Sequence, residues 1–282
     1  MKIPKRIQPL VDDGLVDEVI RPLMSGKEAA VYVVRCGGET RCAKVYKEAD
    51  KRSFKQAAQY QEGRKVRNSR RARAMEKGSR FGRDEQERIW QSAEVDALYC
   101  LARAGVRVPQ PFGCFDGVLL MELITDHKGQ VAPRLNDLSM SAEQAREGHA
   151  IIMRFVVRML CAGLVHGDLS EFNVLVDASG PVIIDLPQAV NAAANNNAQA
   201  MLERDVNSIT GYYAQYAPDL LESQYAKEIW ALYENGRLHP EVPLTGRFEA
   251  SEQVADVVAV LDEINAARVE EQSRRERLRE AG

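Results

Sequence analysis

Apolar positions run in short, strand-like bursts through roughly the first 125 residues and at helical spacing after that. Val16 to Leu23 is a short β-like run, and Ala29 to Cys36 (AAVYVVRC) is apolar and β-branched. Gly37-Gly38 can adopt the positive φ angles of a tight hairpin, so Arg41 to Tyr46 returns as the partner strand. Glu85 to Ala104 carries Ile89, Ala93, Ala97, Leu98 and Leu101 on one helical face, and Gly105 stops it. Pro109 and Pro111 flank an extended lead-in to two strands, Phe112 to Phe115 and Val118 to Leu123, with Asp116-Gly117 as the turn between them. Ser141 opens a helix that runs through Ala162 and ends at Gly163. Two short apolar strands follow, Val174 to Val176 and Val182 to Ile184. Helices are predicted over Ala198–Tyr216, Glu222–Tyr233 and from Ser251 onward, and the chain past Arg268 is almost wholly polar. The order is thus an antiparallel sheet with one long helix, then a helical half around a small β insert.

Composition narrows the class. With 282 residues, 45% hydrophobic and 28% charged, the chain can bury a sizeable core, which excludes a disordered chain. It has no run of 18 apolar residues, so no membrane span is expected, and its first residues lack the apolar stretch of a secretory leader. The five cysteines form no C-x-x-C pair, which predicts reduced thiols and no zinc site. A net charge of −3 hides one strong asymmetry: Lys51 to Arg83 holds twelve basic residues and only two acidic ones. That block is poor in large aliphatic residues and is expected to be a flexible insertion, about residues 50–84. Asn191 to Ala200 (NAAANNNAQA) reads as a loop entering a helix.

Three places carry candidate chemistry. Ser25-Gly26-Lys27-Glu28-Ala29-Ala30-Val31-Tyr32 joins two strands, and a small turn there lets main-chain N–H groups approach phosphates, although an ordinary hairpin turn is the plainer alternative. It is not a P-loop, since G-x-x-x-x-G-K-[ST] and a following helix are both missing. Lys44, in RCAKVY, would by default face solvent; one strand after the flexible turn, it suits a phosphate-binding cation. The third place is His166-Gly167-Asp168-Leu169-Ser170-Glu171-Phe172-Asn173, on a loop ahead of a strand. Asp168 can orient or deprotonate an attacking hydroxyl, and Asn173, five residues on, can offer its amide oxygen to Mg²⁺. Asp185 ends the strand Val182-Ile183-Ile184, where a carboxylate is costly unless it meets a charge such as a metal ion.

Together, HGDLSEFNVL, IIDLPQAV, SGKEAAVY and CAKVYK resemble the RIO family of atypical protein kinases, in the family's order from about Met24 to Val206. The resemblance implies an α+β, bilobal, protein-kinase-like fold. Its N-lobe would be residues 1–124, an antiparallel sheet plus one long helix, and its C-lobe residues 125–282, mostly helical. It implies catalytic roles for Asp168, Lys44 and Asp185, with Asn173 and Asp185 holding Mg²⁺ (or Mn²⁺). ATP would be held by Ser25, Gly26, Lys27, Glu28, Ala29, Val31, Lys44, the helix partner Glu94, and a hinge at Met121, Glu122 and Ile124. His166 would orient rather than react, and Asp205 would anchor the catalytic loop from below.

Departures from pattern are also visible. Ala30 stands where the family has Asn, and Ala93 stands where it has Lys in W-x-x-K-E. Gly167 replaces the Arg of ordinary protein kinases, Asp185-Leu186-Pro187 replaces Asp-Phe-Gly, and no A-P-E follows. Only 23 residues precede Met24, which suggests the first RIO subfamily in a bacterial-type short form. The implied activity is a cytoplasmic Ser/Thr protein kinase with autophosphorylation, an ATPase switch, or both. Its partners would be a protein substrate and, through the basic segment, RNA or a ribosomal particle. The alternative is a small-molecule phosphotransferase of the aminoglycoside or choline kinase kind, but Ser170, Glu171 and Phe172 replace the His-Pro-Gly of that loop.

Overall fold

The computed structural model describes residues 3–26, 29–47 and 93–248. Met1–Arg247 form one compact unit and Phe248–Gly282 a second, of which only Phe248 is described. The basic segment, residues 85–92 of the predicted long helix, and the predicted helix from Ser251 lie outside the described residues.

A short helix, α1 (Gln8–Asp12), leads into β1 (Glu18–Ser25), β2 (Ala29–Cys36) and β3 (Glu39–Tyr46). Gly37 and Gly38 have φ of +58° and +84°, the left-handed pair that a two-residue hairpin needs. A helix over residues 93–103 (α2) and a loop lead to β4 (Pro111–Phe115) and β5 (Val118–Glu122). Asp116 and Gly117 are both left-handed at the β4–β5 turn. The five strands form one antiparallel sheet in the order β1-β2-β3-β5-β4.

Both faces of this sheet are covered, which explains why its central strands are apolar almost throughout. Ala43 and Val45 of β3 face Ile7, Leu10 and Val16 of the N-terminal segment. With the period-2 alternation of a strand, Cys42, Lys44 and Tyr46 face the other way. Tyr46 joins Ala97, Leu98 and Leu101 of α2 in the main core. Val16 therefore belongs to the outer core rather than to β1, and β1 starts two residues later than the apolar run suggests.

The helical half begins with α3 (Ala142–Cys161), whose N-terminus is closed by a capping box between Ser141 and Gln144. A two-residue strand, β6 (Leu164–Val165), precedes the loop His166 to Ser170 and its 3₁₀ turn, Glu171–Asn173. A tight hairpin, β7 (Val174–Asp177) and β8 (Gly180–Ile183), follows, and β9 (Val190–Asn191) pairs with β6. Helices α4 (Ala198–Ala214) and α5 (Tyr225–Glu234) complete the unit. Sequence spacing predicts a start near Glu222 for α5. Instead Pro218–Glu222 forms a separate 3₁₀ turn, because Ser223 Oγ donates to the Leu220 carbonyl and the Gln224 N–H to Gly246. The α+β arrangement, sheet first and helices after, is the one expected from the residue pattern.

Candidate active site

Lys44 is the centre of the candidate site. It is only 8% exposed, and a buried ammonium needs paired negative charge to remain ionised. Two carboxylates supply it: Glu94 Oε1 at 2.7 Å and Asp185 Oδ1 at 2.8 Å. Burial alone would lower the Lys44 pKa, but Glu94 and Asp185 overcome it and hold the amine protonated above its ordinary range. Glu94 is 2% exposed and accepts a further hydrogen bond from the Tyr46 hydroxyl at 2.5 Å. Tyr46 lies two residues from Lys44 on the same strand face. The strand period is the one signal in the sequence that could have placed it in the site.

Asp185 adopts φ +65°, a left-handed conformation uncommon for a residue with a side chain. The turn swings its carboxylate out of the buried line of β8 towards Lys44. Loss of hydration opposes its ionisation, but the Lys44 charge and hydrogen bond prevail and keep its pKa below the usual carboxylate range. Asp185 Oδ2 receives no hydrogen bond among the described residues.

The loop carrying Asp168 is fixed from several sides. Asp205 on α4 accepts the Gly167 N–H at 2.7 Å and the Leu169 N–H at 3.1 Å, and Arg204 donates to the Gly167 carbonyl. His166 Nε2 donates to the Ile184 carbonyl at 3.1 Å, which leaves Nδ1 to accept the Asp168 N–H at 3.3 Å. Both ring nitrogens are thus committed, and the ring straps this loop to the residue before Asp185. Asp168 itself is reachable from solvent. Lost hydration raises its pKa despite His166 and Arg204, and Asp185 adds to the rise. Asn173 donates Nδ2 to the Asp168 carbonyl at 2.8 Å, so its Oδ1 is the atom left for a ligand.

The donor set suits a hard cation. One amide and one carboxylate oxygen match Mg²⁺, which takes few protein oxygens and keeps water or phosphate oxygens for the rest. No cluster of three or more His, Cys, Asp or Glu side chains arranged for a metal occurs among the described residues.

The remaining predicted positions divide by place. Ser25, Gly26, Ala29 and Val31 lie at and beside the β1–β2 turn, where the Gly26 N–H donates to the Ala29 carbonyl at 2.9 Å. Lys47 reaches this turn through Ser25 Oγ and the Gly26 carbonyl. Lys27 and Glu28 lie outside the described residues. Met121 and Glu122 end β5, and Ile124 follows. The Glu122 N–H goes to the Gln110 carbonyl and the Ile124 carbonyl to the Ala132 N–H, while the Ile124 N–H donates to no group among the described residues. The Glu122 side chain forms a two-pronged pair with Arg107, a residue that the sequence reading did not single out.

Comparison with known proteins places the chain in a family. A family model described as the RIO domain matches residues 30–226. A RIO-type serine/threonine-protein kinase Rio1 from Haloferax volcanii is 32% identical over 217 residues, covering 76% of this chain and 69% of that protein. The serine/threonine-protein kinase RIO1 of Homo sapiens is 30% identical over 206 residues, covering 72% of this chain but only 34% of its own length. Among solved structures, a Rio2 kinase–ADP/Mg²⁺–phosphoaspartate complex from Chaetomium thermophilum shares the fold, with a TM-score of 0.54 and 22% identity over 74% of this chain and 59% of that one.

Proposed function

Because the chain belongs to the RIO family, whose relatives are serine/threonine-protein kinases, we propose that its cleft binds ATP with a divalent metal ion and transfers the γ-phosphoryl group to a Ser/Thr hydroxyl or to water. The observation that carries this reading is the buried Lys44 set between Glu94 and Asp185 beside the loop of Asp168 and Asn173. Ile124, whose N–H donates to no group among the described residues, would meet the adenine. The turn at Ser25 and Gly26 together with Lys44 faces the phosphates. Asn173 Oδ1 and Asp185 would hold Mg²⁺, which when bound offsets phosphate charge and fixes the phosphoryl group in line.

Asp168 takes the proton of the attacking hydroxyl as its oxygen bonds to the γ-phosphorus and the bond to the ADP oxygen breaks. A raised pKa makes it a better base than an ordinary carboxylate, provided the pH lies above that value. His166 and Asp205 do not react; they hold the Asp168 main chain at the attack position.

The finer reading concerns the acceptor. Ser69 and Ser79 in the basic segment are candidate internal acceptors, and that segment is the natural contact for RNA or a ribosomal particle. The solved Rio2 complex contains a phosphoaspartate, which supports a transient acyl phosphate on Asp185 as the route of ATP hydrolysis. Calorimetric titration of ATP with and without Mg²⁺ tests the site: binding should depend on the metal in the wild type and lose that dependence in Asp185→Asn. Metal-independent binding in both would refute the assignment.

A further inference from the structure

The Arg107 guanidinium ties together three chain segments that the phosphotransfer reading does not connect. Its Nη1 donates to Glu122 Oε2 at 2.8 Å and its Nη2 to Glu122 Oε1 at 2.7 Å. Nη2 also donates to Asp177 Oδ2 at 3.0 Å. Asp177 ends β7, where its other oxygen accepts the Ser179 N–H at 2.7 Å in the hairpin turn. The Arg107 main-chain carbonyl accepts the Ile183 N–H of β8 at 2.9 Å, two residues before Asp185. One residue thus holds the hairpin whose two ends carry Asn173 and Asp185.

Its other hand holds the hinge. Glu122 Oε2 also accepts the Gln110 N–H at 3.1 Å, while the Glu122 N–H returns to the Gln110 carbonyl at 2.8 Å. That ring fixes the Glu122 backbone, and Arg107 fixes the side chain that closes it. The Arg107 and Glu122 side chains are each 33% exposed, so solvent screens the pair and it adds little to stability. A bidentate arginine at such a site is better suited to setting geometry than to supplying energy.

We propose that Arg107 is a positioning residue that sets the adenine end of the cleft relative to the metal end. The inference rests on the ATP reading above. A nucleotide gripped at two ends gains affinity only when the two grips are held at the right separation. Loosening the tie should therefore weaken a ligand that spans both ends and spare ligands that touch only one. Backbone bonds of the hairpin to Arg107 and Pro133 remain when the guanidinium is removed, which limits the effect.

The test compares wild type, Arg107→Met and Arg107→Lys in the full chain. Each is titrated with ATP, with adenosine and with inorganic tripolyphosphate, all in Mg²⁺, and melted without ligand. Arg107→Met should weaken ATP by about five- to tenfold, with adenosine and tripolyphosphate within about twofold of wild type and the melting point nearly unchanged. Arg107→Lys keeps the charge but not the fork and should fall between. ATP affinity unchanged in Arg107→Met would overturn the proposal. So would parallel weakening of all three ligands with a lowered melting point, which marks a purely structural role. Wild type that binds ATP no better than adenosine would instead overturn the ATP reading on which it rests.

Discussion

Replacing Glu94 by Gln asks what keeps a lysine charged inside the cleft. The substitution preserves shape and leaves an oxygen and an amide for Lys44 and Tyr46, but it removes the negative charge. The Lys44 and Glu94 side chains are 10% and 3% exposed, so water screens their 2.7 Å pair weakly. Breaking a buried pair by neutralising one partner costs roughly 3–5 kcal/mol. Asp185 continues to hold Lys44 at 2.8 Å, which places this case near the lower end, at about 3 kcal/mol. For a unit of this size that lowers the melting point by about 6–12 °C. Asp185→Asn is the internal control. That carboxylate is 44% exposed against 3% for Glu94, so water compensates more of its charge and its loss should cost less, about 1 kcal/mol. Asn tolerates positive φ as well as Asp does, so no backbone strain is added. Urea unfolding followed by circular dichroism, without nucleotide and with slopes compared, measures both. If Glu94→Gln lost less than about 1 kcal/mol, or less than Asp185→Asn, then Glu94 would not be what holds Lys44 in the cleft.

Three further outcomes follow from particular contacts. Asp185→Asn should reduce Mg-ATP turnover by about 10²-fold or more while leaving the fold intact, because positioning and charge compensation provide nearly all of phosphoryl-transfer catalysis; turnover within a few-fold of wild type in a steady-state assay would reject its role. Gly148 lies inside α3, where alanine normally stabilises, but an added Cβ would meet the Tyr213 Oη at 2.7 Å against a fully buried ring. Gly148→Ala should therefore destabilise by about 1–3 kcal/mol in urea unfolding, and a gain in stability would contradict the packing. His149 donates to or accepts from Thr210 Oγ1 at 2.9 Å, and burial holds its pKa down to about 4 against an ordinary 6.5. The unfolded chain takes up that proton near pH 6.5 and the folded one only near 4, so stability is present above 6.5 and lost as pH falls towards 4, by up to about 3 kcal/mol. His149→Gln should lack that slope, and parallel pH profiles for the two proteins would disprove it.

Much of the fold could be read from short-range pattern. Gly37-Gly38 and Asp116-Gly117 name their hairpins because both positions of each turn need left-handed backbone. Ser141 names the start of α3, which it closes through a local capping box with Gln144. The nearness of Asp168 and Asn173 was legible for the same reason: they belong to one loop, where sequence spacing is spatial spacing. What depends on contacts distant in sequence was not legible. Nothing local to Arg107 foretells Glu122 and Asp177 as partners, and the left-handed turn at Asp185 was not read from the sequence. Tyr46 lay between these cases, since its strand face was readable but its bond to Glu94 was not.

The central claim is that this cleft transfers the γ-phosphoryl group of ATP with Asp168 as the base. The most direct measurement is single-turnover release or transfer of label from γ-labelled ATP with Mg²⁺, comparing wild type with Asp168→Asn and splitting each sample between acid and hydroxylamine. Phosphoserine survives hydroxylamine and an acyl phosphate does not, so the split also identifies the acceptor. Wild type should turn over label, and Asp168→Asn should do so at least about 10²-fold more slowly while binding ATP within a few-fold of wild type. No label movement in wild type, or an undiminished rate in Asp168→Asn, would contradict the account.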